Sequence, residues 1–331
     1  MQVWQVAAGD GSRDYTTVFT RFGVLLTGPG TDGPYNANTQ PYKPWPFIHE
    51  TAAGLKDQDL VALKRPSGKS WEVVAVGRIL GEYEWIENFE DVEGWDLQHA
   101  RRVEWRLPAA PTFVPTLRRG TLSRVNNGAA SAAVCAAWEG GNPVVAQALA
   151  ALPPPLTDDE LIETLVDDGL RVSAAEDVAQ TLRRVRRLAS WYQRKGRDVS
   201  EHETRSFIVV PLLLALGWPE QQVKVEWNRL DIALFDRHFG AKDAQLHAIV
   251  ETKRLREGLG GAEKQVMTYA TSHPTCRHVV VTDGISYKVF SRASGTWAHT
   301  ASMNLLLPRQ THWFLPGVGG AVGVFRALLP P

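Results

Sequence analysis

Two carboxylates and one lysine in the second half of the chain are the residues best suited to chemistry. Asp231 opens the apolar run 231–235, and Glu251 and Lys253 close the run 247–253. Both runs have the apolar and β-branched residues typical of strands. Because side chains two positions apart on a strand face the same side, Glu251 and Lys253 are expected to project together. If the two strands pair, Asp231 joins them at one edge of the sheet.

This group suits the metal-assisted hydrolysis of a phosphodiester. Mg²⁺ is usually held by one or two protein carboxylates together with waters and phosphate oxygens. A bound metal makes water a better nucleophile, and a nearby lysine offsets the charge that develops in the transition state. We therefore expect Asp231 and Glu251 to hold Mg²⁺, or Mn²⁺ in its place. A Glu-x-Lys triplet by itself is also common on solvated strand faces, so the triplet alone leaves both interpretations open.

The surrounding sequence resembles one nuclease family. In chain order it has a helix glutamate, Pro-Leu-Leu, Leu-Gly-Trp, the strand aspartate, Glu-x-Lys, a glutamine followed by Tyr-Ala, and a Thr-Asp-Gly turn: Glu201, 211–213, 216–218, Asp231, 251–253, Gln265, 269–270 and 282–284. This order resembles the N-terminal nuclease domain of type I restriction enzyme R subunits, a branch of the PD-(D/E)XK superfamily. The resemblance covers about residues 200–292, and its one mild departure is Asp283, where Asn is commoner.

The resemblance implies a role for each matching residue. Asp231 and Glu251 would be metal ligands, and Lys253 would be the catalytic lysine. Gln265 would be the active-site glutamine of the family, and Glu201 the helix carboxylate near the metal. Glu201 also fits a residue that stabilises the first turn of a helix. Gln265 also fits an ordinary exposed helix residue.

Composition sets the limits for the rest of the chain. A length of 331 residues allows two or three domains, and the 36 basic and 36 acidic residues balance. Any surface that binds nucleic acid must therefore depend on a local cluster of basic residues and not on the net charge of the chain. Cys135 and Cys276 have no metal-ligand spacing. We found no signal peptide and no long apolar span, and we expect a soluble cytoplasmic protein without a membrane partner.

Residues 1–109 have the short strands and Gly-rich turns of a small β-barrel. Six tryptophans in this region stand among polar and basic residues, which suits a pocket that stacks a base and has arginines at its rim. For any single tryptophan, a place in the barrel core is the competing interpretation. The proposed pocket and phosphate-binding residues are Trp4, Tyr83, Trp85, Trp95 and Asp96, and Arg101 and Arg102.

This region resembles the EVE-like members of the PUA superfamily over about residues 1–107. The matching features are the opening Val-Trp-Gln-Val-Ala-Ala-Gly, Gly23-Val24 leading to Gly28-Pro29, 59–61, 76–79 and 101–105. The resemblance implies a domain that reads a modified base, which DNA-binding members flip into an aromatic cage. The Pro- and Asn-rich insert 33–46 departs from the pattern.

Residues 110–199 read as a helical connector. Capping boxes are predicted at Thr157–Glu160 and Ser173–Glu176, and a third at Ser200–Glu203 opens the nuclease. The helix after Ser173 carries seven basic residues in its second half: Arg183, Arg184, Arg186, Arg187, Arg194, Lys195 and Arg197. We expect Arg183, Arg187 and Lys195 to follow a DNA backbone. A solvated helix face partly neutralised by the preceding acidic helix is the alternative.

Together these observations predict an α+β multidomain protein with a PUA/EVE-like barrel (1–109), a helical linker (110–199) and a restriction-endonuclease-like domain with a mixed central sheet (200–331). The predicted function is that of a modification-dependent, type IV-like restriction endonuclease acting on double-stranded DNA. One active site cuts one strand, so a homodimer is expected on DNA. Two alternatives are a non-cleaving nucleic-acid-binding module of a defence complex and an RNA-directed nuclease, although no 2′-hydroxyl reader is identified in the sequence.

Overall fold

The computed structural model describes residues 1–331 except 8, 10–13, 29–32, 36–53, 68, 69, 94, 115, 116, 118, 119, 196 and 197. Most of the insert 33–46, including Trp45, and the basic Arg197 therefore lie outside the described residues. The chain forms two compact units, Met1–Leu149 (unit 1) and Ala150–Pro331 (unit 2). Each unit contains helices and one mixed sheet, so the α+β class is confirmed. The segment predicted as a connector is divided between the two units.

Unit 1 is built on a sheet that curls into a half-barrel. Its strands are β1 (Val3–Ala7), β2 (Val24–Thr27), β3 (Leu60–Ser67), β4 (Ser70–Trp85), β5 (His99–Leu107), β6 (Thr112–Phe113), β7 (Leu122–Arg124) and β8 (Asn142–Pro143). Its helices are α1 (Thr16–Phe22), a 3₁₀ turn at Glu87–Glu90 and α2 (Gly128–Glu139). The strand order is β2-β5-β4-β3-β1-β7, with β6 paired to β4 and β8 to β5. Only β1 and β3 pair in parallel among these strands.

Two tryptophans form part of the core of unit 1. Trp4 on β1 is 2% exposed, and its Nε1 donates to Asp59 Oδ2 at 3.1 Å. Trp105 on β5 is 1% exposed, and its Nε1 donates to the Val24 carbonyl at 3.2 Å. A buried indole N–H needs an acceptor, and both have one. Gly77 on β4 faces Trp105 so closely that a Cβ there would lie 2.7 Å from Trp105 Cε3.

Unit 2 begins with helices and continues into a second sheet. Its helices are α3 (Asp158–Asp167), α4 (Val172–Arg194), α5 (Glu201–Thr204), a π-helical turn (Arg205–Val209), α6 (Val210–Ala215), a 3₁₀ turn (Glu220–Gln222), α7 (Gly260–Thr271) and α8 (Ala321–Leu328). Its strands are β9 (Val223–Trp227), β10 (Leu230–Phe235), β11 (Leu246–Thr252), β12 (His278–Thr282), β13 (Ser286–Ala293) and β14 (Thr296–Asn304). Two of the three predicted capping boxes form, at Thr157 and Ser200. The prediction at Ser173 is wrong, because α4 begins at Val172 with Arg171 at its N-cap and no side-chain cap.

The sheet of unit 2 has the order β14-β13-β12-β11-β10-β9. Strands β11 and β12 are parallel, and the other neighbours are antiparallel. Alternate residues of the central strands face different helices, as a period of two requires. Ile232 and Val250 pack in the cluster that contains residues of α4, α6 and α8. Ala233 and Ile249 pack in the cluster that contains residues of α7. Helices therefore cover both faces of this sheet.

Candidate active site

The hairpin of β10 and β11 brings the predicted carboxylates to one end of the sheet. Ile232 pairs with Val250. Asp231 and Glu251 lie directly beside this pair, because one precedes Ile232 and the other follows Val250. Lys253 follows directly after β11, and its backbone N–H donates to the Thr282 carbonyl of β12 at 2.8 Å. The strand pairing predicted for this region is therefore present. It places Asp231, Glu251 and Lys253 beside each other.

Glu251 and Lys253 form a close ion pair. Lys253 Nζ donates to Glu251 Oε1 at 2.9 Å, and the two side chains are 20% and 4% exposed, respectively. The second oxygen, Glu251 Oε2, is buried and has no hydrogen-bond donor among the described residues. Burial raises the pKa of Glu251, the hydrogen bond from Lys253 opposes that rise, and the nearby Asp231 adds to it. A buried carboxylate oxygen without a donor is costly unless something else neutralises it.

Glu201 reaches the same ion pair from the start of α5. The capping box of Ser200 and Glu203 fixes this helix start, and Glu201 Oε2 lies 3.9 Å from Lys253 Nζ. Burial and the charge of Asp231 raise the pKa of Glu201. Burial alone would lower the pKa of Lys253, but the hydrogen bond to Glu251 and the surrounding carboxylates raise it. The lysine is thereby kept as a cation between carboxylates.

Asp231 is held by two neighbours that the sequence analysis did not identify. The backbone N–H and Oγ1 of Thr252 donate to Asp231 Oδ2 at 2.7 and 2.9 Å. Arg205 Nη1 donates to Asp231 Oδ1 at 2.9 Å, and Arg205 Nη2 donates to Glu226 Oε1 at 2.7 Å. The sequence signal for Arg205 was a single arginine entering an otherwise apolar helix, where a buried cation needs a carboxylate partner. Its partner could not be chosen from spacing alone.

A tight turn links the helix start to the segment after Lys253. Gly284 has φ +82°, and a Cβ there would lie 2.7 Å from Thr204 Cγ2 and 2.9 Å from Leu255 Cδ1. The preceding Asp283 is 2% exposed and accepts hydrogen bonds from the backbone N–H groups of Gly258, Ile285 and Ser286 at 3.1, 3.2 and 2.8 Å. An ionised carboxylate has only acceptor sites and so can satisfy all three donors. Aspartate therefore fits this turn.

The carboxylate oxygens of this group are ligands of the kind that Mg²⁺ prefers. Within the described residues, no group of three or more His, Cys, Asp and Glu side chains stands in a metal-binding arrangement. Mg²⁺, however, needs only one or two protein carboxylates, with waters and phosphate oxygens as the other ligands. Glu251 Oε2 is the oxygen that lacks a donor. Glu251 and Asp231 are therefore the residues that would hold Mg²⁺ or Mn²⁺.

Gln265 is not part of this hydrogen-bonded group. It lies on α7 and is exposed to solvent. In the part of the chain that the structure describes, no hydrogen bond connects Gln265 to Asp231, Glu251 or Lys253. Its position agrees with the ordinary exposed helix residue that the sequence left open.

In unit 1, aromatic side chains gather where β4 and β5 pair Trp85 with His99. Tyr83 Oη lies 2.9 Å from His99 Nδ1, and the Tyr35 backbone N–H donates to Tyr83 Oη at 3.1 Å. The rings of Trp85 and His99 meet edge to face with centroids 5.1 Å apart. Burial raises the pKa of Tyr83, and the Tyr35 hydrogen bond opposes the rise. Tyr83 and Trp85 are thus brought together, and His99 and Tyr35 are members that sequence reasoning missed.

The other predicted pocket and phosphate-binding residues of unit 1 have different surroundings. Trp4 is a core residue bonded to Asp59, so it does not join the Tyr83 group. The backbones of Val92 and Trp95 bond each other in a tight turn, and the Asp96 carbonyl lies against Gly28. These observations leave the roles of Trp95 and Asp96 as predictions.

The two arginines predicted to contact phosphate differ from each other. Arg101 is fully buried and donates to the carbonyls of Leu55 and Gly81. Its guanidinium is therefore not presented to solvent, and the expected phosphate contact is not supported. Arg102 is 39% exposed and pairs with Glu84 at 3.0 Å. Arg102 remains accessible.

The basic residues predicted to follow DNA lie on and just after α4. Arg183, Arg187 and Lys195 are exposed, and Arg183 Nε lies 3.3 Å from Asp158 Oδ2 of α3. The acidic helix α3 therefore neutralises Arg183, as the alternative interpretation of a partly neutralised helix face expects.

No helix in the described ranges of the chain is long and apolar enough to span a membrane. Comparison of the chain with protein-family models, with curated proteins and with solved structures returned no match.

Proposed function

We propose that the chain is a Mg²⁺-dependent endodeoxyribonuclease that acts on double-stranded DNA carrying a modified base. The observation that carries the proposal is the group Asp231, Glu251 and Lys253. Lys253 donates to Glu251 Oε1, and among the described residues no donor reaches the buried Oε2. A carboxylate in this state is suited to a divalent cation. We further propose that unit 2 has the restriction-endonuclease-like fold and unit 1 the PUA/EVE-like fold.

Each residue of the group has a distinct task in this proposal. Asp231 and Glu251 would hold Mg²⁺, which when bound lowers the pKa of a water and polarises a phosphoryl oxygen. Thr252 and Arg205 fix the Asp231 carboxylate through both of its oxygens. Lys253 has its pKa raised by the carboxylates around it, so it remains an ammonium that can donate to a phosphate oxygen as negative charge develops.

Unit 1 would supply the selection of substrate. The cluster of Tyr35, Tyr83, Trp85 and His99 combines ring faces with groups that donate and accept hydrogen bonds. A flipped base is read by stacking and by hydrogen bonds to its edge, which such a cluster can provide. In this proposal the protein is a type IV-like restriction endonuclease that works in the cytoplasm. Because one site cuts one strand, cleavage of both strands requires a homodimer on DNA.

A cleavage assay with a matched lysine control tests the proposal. Plasmids with unmodified cytosine, 5-methylcytosine, 5-hydroxymethylcytosine or N6-methyladenine are incubated with the protein and Mg²⁺, or with EDTA. We expect Mg²⁺-dependent cleavage of one modified plasmid by the wild type and by Lys242→Ala, a change at an exposed lysine in the loop between β10 and β11. Lys253→Ala is expected to lose cleavage, and also to melt at a lower temperature because the buried Glu251 loses its cation, so cleavage is measured well below the melting temperature of the variant. Equal cleavage by Lys253→Ala, or cleavage in EDTA, would overturn the assignment.

One observation favours a second candidate, a nucleic-acid-binding module that does not cleave. Both oxygens of Asp231 already accept hydrogen bonds, from Arg205 and from Thr252. If these bonds persist in solution to the exclusion of a metal ion, the site recognises without cutting. Calorimetric titration of the metal-free protein with Mn²⁺ and Mg²⁺ separates the two functions. Metal binding that Glu251→Gln abolishes supports the nuclease, and DNA binding without any metal binding supports the module.

A further inference from the structure

The second half of α4 carries an exposed stripe of three arginines and one tryptophan. Arg184, Arg187, Trp191 and Arg194 are spaced three or four residues apart, so they lie on the same side of the helix. All four are exposed, and Trp191 is 39% exposed. At 1.5 Å of rise per residue, the stripe extends for about 15 Å along the helix. We call these four residues the α4 stripe.

In the part of the chain that the structure describes, no acidic side chain pairs with an arginine of the stripe. Arg183 beside it pairs with Asp158, and Arg186 donates to the Leu306 carbonyl at 2.9 Å. By contrast, Arg184, Arg187 and Arg194 form no ion pair or hydrogen bond with any other described residue. Three guanidinium groups on one helix face repel each other. Their arrangement is stabilised when anions lie between them.

Two open grooves lie beside the arginines of the stripe. One has a volume of about 350 Å³ and is lined by Arg183, Arg186, Arg187, Ser190, Arg194 and Leu306. The other has a volume of about 640 Å³ and is lined by Gln180, Thr181, Arg183, Arg184 and Arg187. Because both grooves share Arg183 and Arg187, they follow each other along α4. The lining is cationic in both, which suits an extended polyanion and not an apolar ligand.

Trp191 indicates what kind of polyanion fits. Its indole meets the ring of Tyr192, which is 8% exposed, edge to face at 5.5 Å, and this contact holds an exposed indole to the helix surface. A phosphate chain alone has no planar group that could stack on an indole. A nucleobase stacks on such a face when it is not already stacked within a duplex. The combination of guanidinium groups and an indole in one row is therefore complementary to a strand with accessible bases.

We propose that the α4 stripe binds a single strand of DNA, with the arginines on phosphates and Trp191 stacked on a base. The choice of DNA over RNA rests on the proposed function, whereas the choice of a single strand rests on the stripe itself. This assignment differs from the contact with a duplex backbone expected from the sequence. It gives unit 2 a place to hold a strand that is unpaired, such as one displaced beside a flipped base or a nick.

The test measures binding by the full chain in EDTA, so that it does not depend on cleavage. A fluorescein-labelled single-stranded oligodeoxynucleotide, a blunt duplex of the same sequence and a single-stranded oligoribonucleotide are titrated by anisotropy. We expect the single-stranded DNA to bind at least about tenfold more tightly than the duplex. Trp191→Ala is expected to weaken single-strand binding by about tenfold, as loss of one stacked base predicts, and Trp191→Phe to retain most of it.

Charge reversal provides the matched comparison. Arg184→Glu with Arg187→Glu is expected to weaken binding at least tenfold and to reduce the dependence of the affinity on salt by about 0.7 logarithmic units per lost phosphate contact. Arg171→Glu with Arg277→Glu changes the net charge equally at two exposed arginines outside the stripe, and it is expected to bind like the wild type. Melting temperatures establish that all variants fold.

The outcomes separate this proposal from the nuclease assignment. Equal affinity for single strand and duplex, or an unchanged affinity of Trp191→Ala, would overturn the single-strand proposal even if the protein cleaves DNA. Tighter binding of the oligoribonucleotide would overturn the choice of DNA. Single-strand binding that depends on the stripe, in a protein that cuts no plasmid, would support the stripe and contradict the nuclease.

Discussion

Arg205 Nη1 lies 2.9 Å from Asp231 Oδ1, and this contact ties the helical segment that starts at Glu201 to strand β10. Arg205 is 6% exposed and Asp231 16% exposed on their side chains, so little water screens the pair. The second partner, Glu226, is 67% exposed. Asp231 therefore neutralises most of the buried positive charge of Arg205. In turn, Arg205 fixes the position of the Asp231 carboxylate.

Replacing Arg205 by alanine is expected to lower the free energy of unfolding by about 3 kcal/mol, because Asp231 is left partly buried without its cation. We also expect plasmid cleavage to be lost, since Asp231 would no longer be held. Urea denaturation and a nicking assay measure the two effects. Glu226→Ala is the control, and it is expected to cost less than about 1 kcal/mol because the carboxylate is exposed. Equal losses in the two variants would contradict the role given to Asp231.

Gly284→Ala is expected to disturb the site from outside it. The substitution places a Cβ against Thr204 and Leu255 at a backbone φ of +82°, so the start of α5 or the segment after Lys253 must move. We expect a loss of about 2–3 kcal/mol in the free energy of unfolding and a fall in cleavage. Thermal denaturation and the nicking assay check both.

Gly295 gives a matched control for this substitution. It has the same φ of +82°, but nothing lies within 4 Å of the position where its Cβ would stand. Gly295→Ala therefore reports the backbone strain alone, about 1 kcal/mol. If Gly295→Ala were as damaging to cleavage as Gly284→Ala, the contact with Thr204 and Leu255 would not be the cause.

Two tryptophans of unit 1 are expected to respond in opposite ways. Trp4→Ala opens a cavity beside Asp59 and is expected to cost about 3–5 kcal/mol of stability. Trp85→Ala, at a partly exposed side chain, is expected to cost much less stability and to weaken binding of DNA that carries the recognised modified base. Thermal denaturation and anisotropy with modified and unmodified duplexes measure the difference. If Trp4→Ala were stable and lost only its preference for modified over unmodified DNA, Trp4 would be a pocket residue and not a core residue.

Acid is expected to destabilise the fold through two histidines of unit 2. Burial lowers the pKa of His278 and of His312 to about 4, from an ordinary value of 6.5. Between these values the unfolded chain binds more protons than the folded one, so stability is lost as the pH falls from 6.5 toward 4. We expect each histidine to contribute roughly 1–2 kcal/mol of this loss by pH 5.

Urea denaturation at pH 7 and pH 5 measures that loss. His278→Gln and His312→Gln are each expected to reduce the difference between the two pH values, because glutamine does not titrate. His238→Gln, at an exposed histidine, is expected to leave the difference unchanged. A pH dependence that is the same in all three variants would assign the acid sensitivity to other groups.

The sequence was informative where local periodicity determines structure. The apolar and β-branched residues of the runs 231–235 and 247–253 predict two strands, and β10 and β11 are present there and pair. The same reasoning predicted the capping boxes at Thr157 and Ser200. These features depend on neighbours within a few residues in the chain. Local signals therefore located most of the proposed site.

Partners distant in the sequence could not be predicted. Arg205 meets Asp231 across 26 positions of the chain, and Trp4 meets Asp59 across 55. An aromatic residue near basic ones gives the same local sequence pattern whether it lines a pocket or fills a core, so the sequence predicts a pocket position for Trp4. The same pattern predicts a phosphate contact for Arg101, although its guanidinium donates to the carbonyls of Leu55 and Gly81. Burial decides between these roles, and composition does not report burial.

The short connection between β10 and β11 also bears on how unit 2 acquires its structure. Only residues 236–245 separate the two strands, so closing this hairpin costs little chain entropy and can precede most long-range contacts. When the hairpin closes, the carboxylates of Asp231 and Glu251 approach each other before most of the other contacts of unit 2 have formed. The cations that compensate them come from Lys253 at the strand end and from Arg205 earlier in the chain. We therefore expect added salt or Mg²⁺ to speed the refolding of unit 2, because ions screen the repulsion between these two carboxylates.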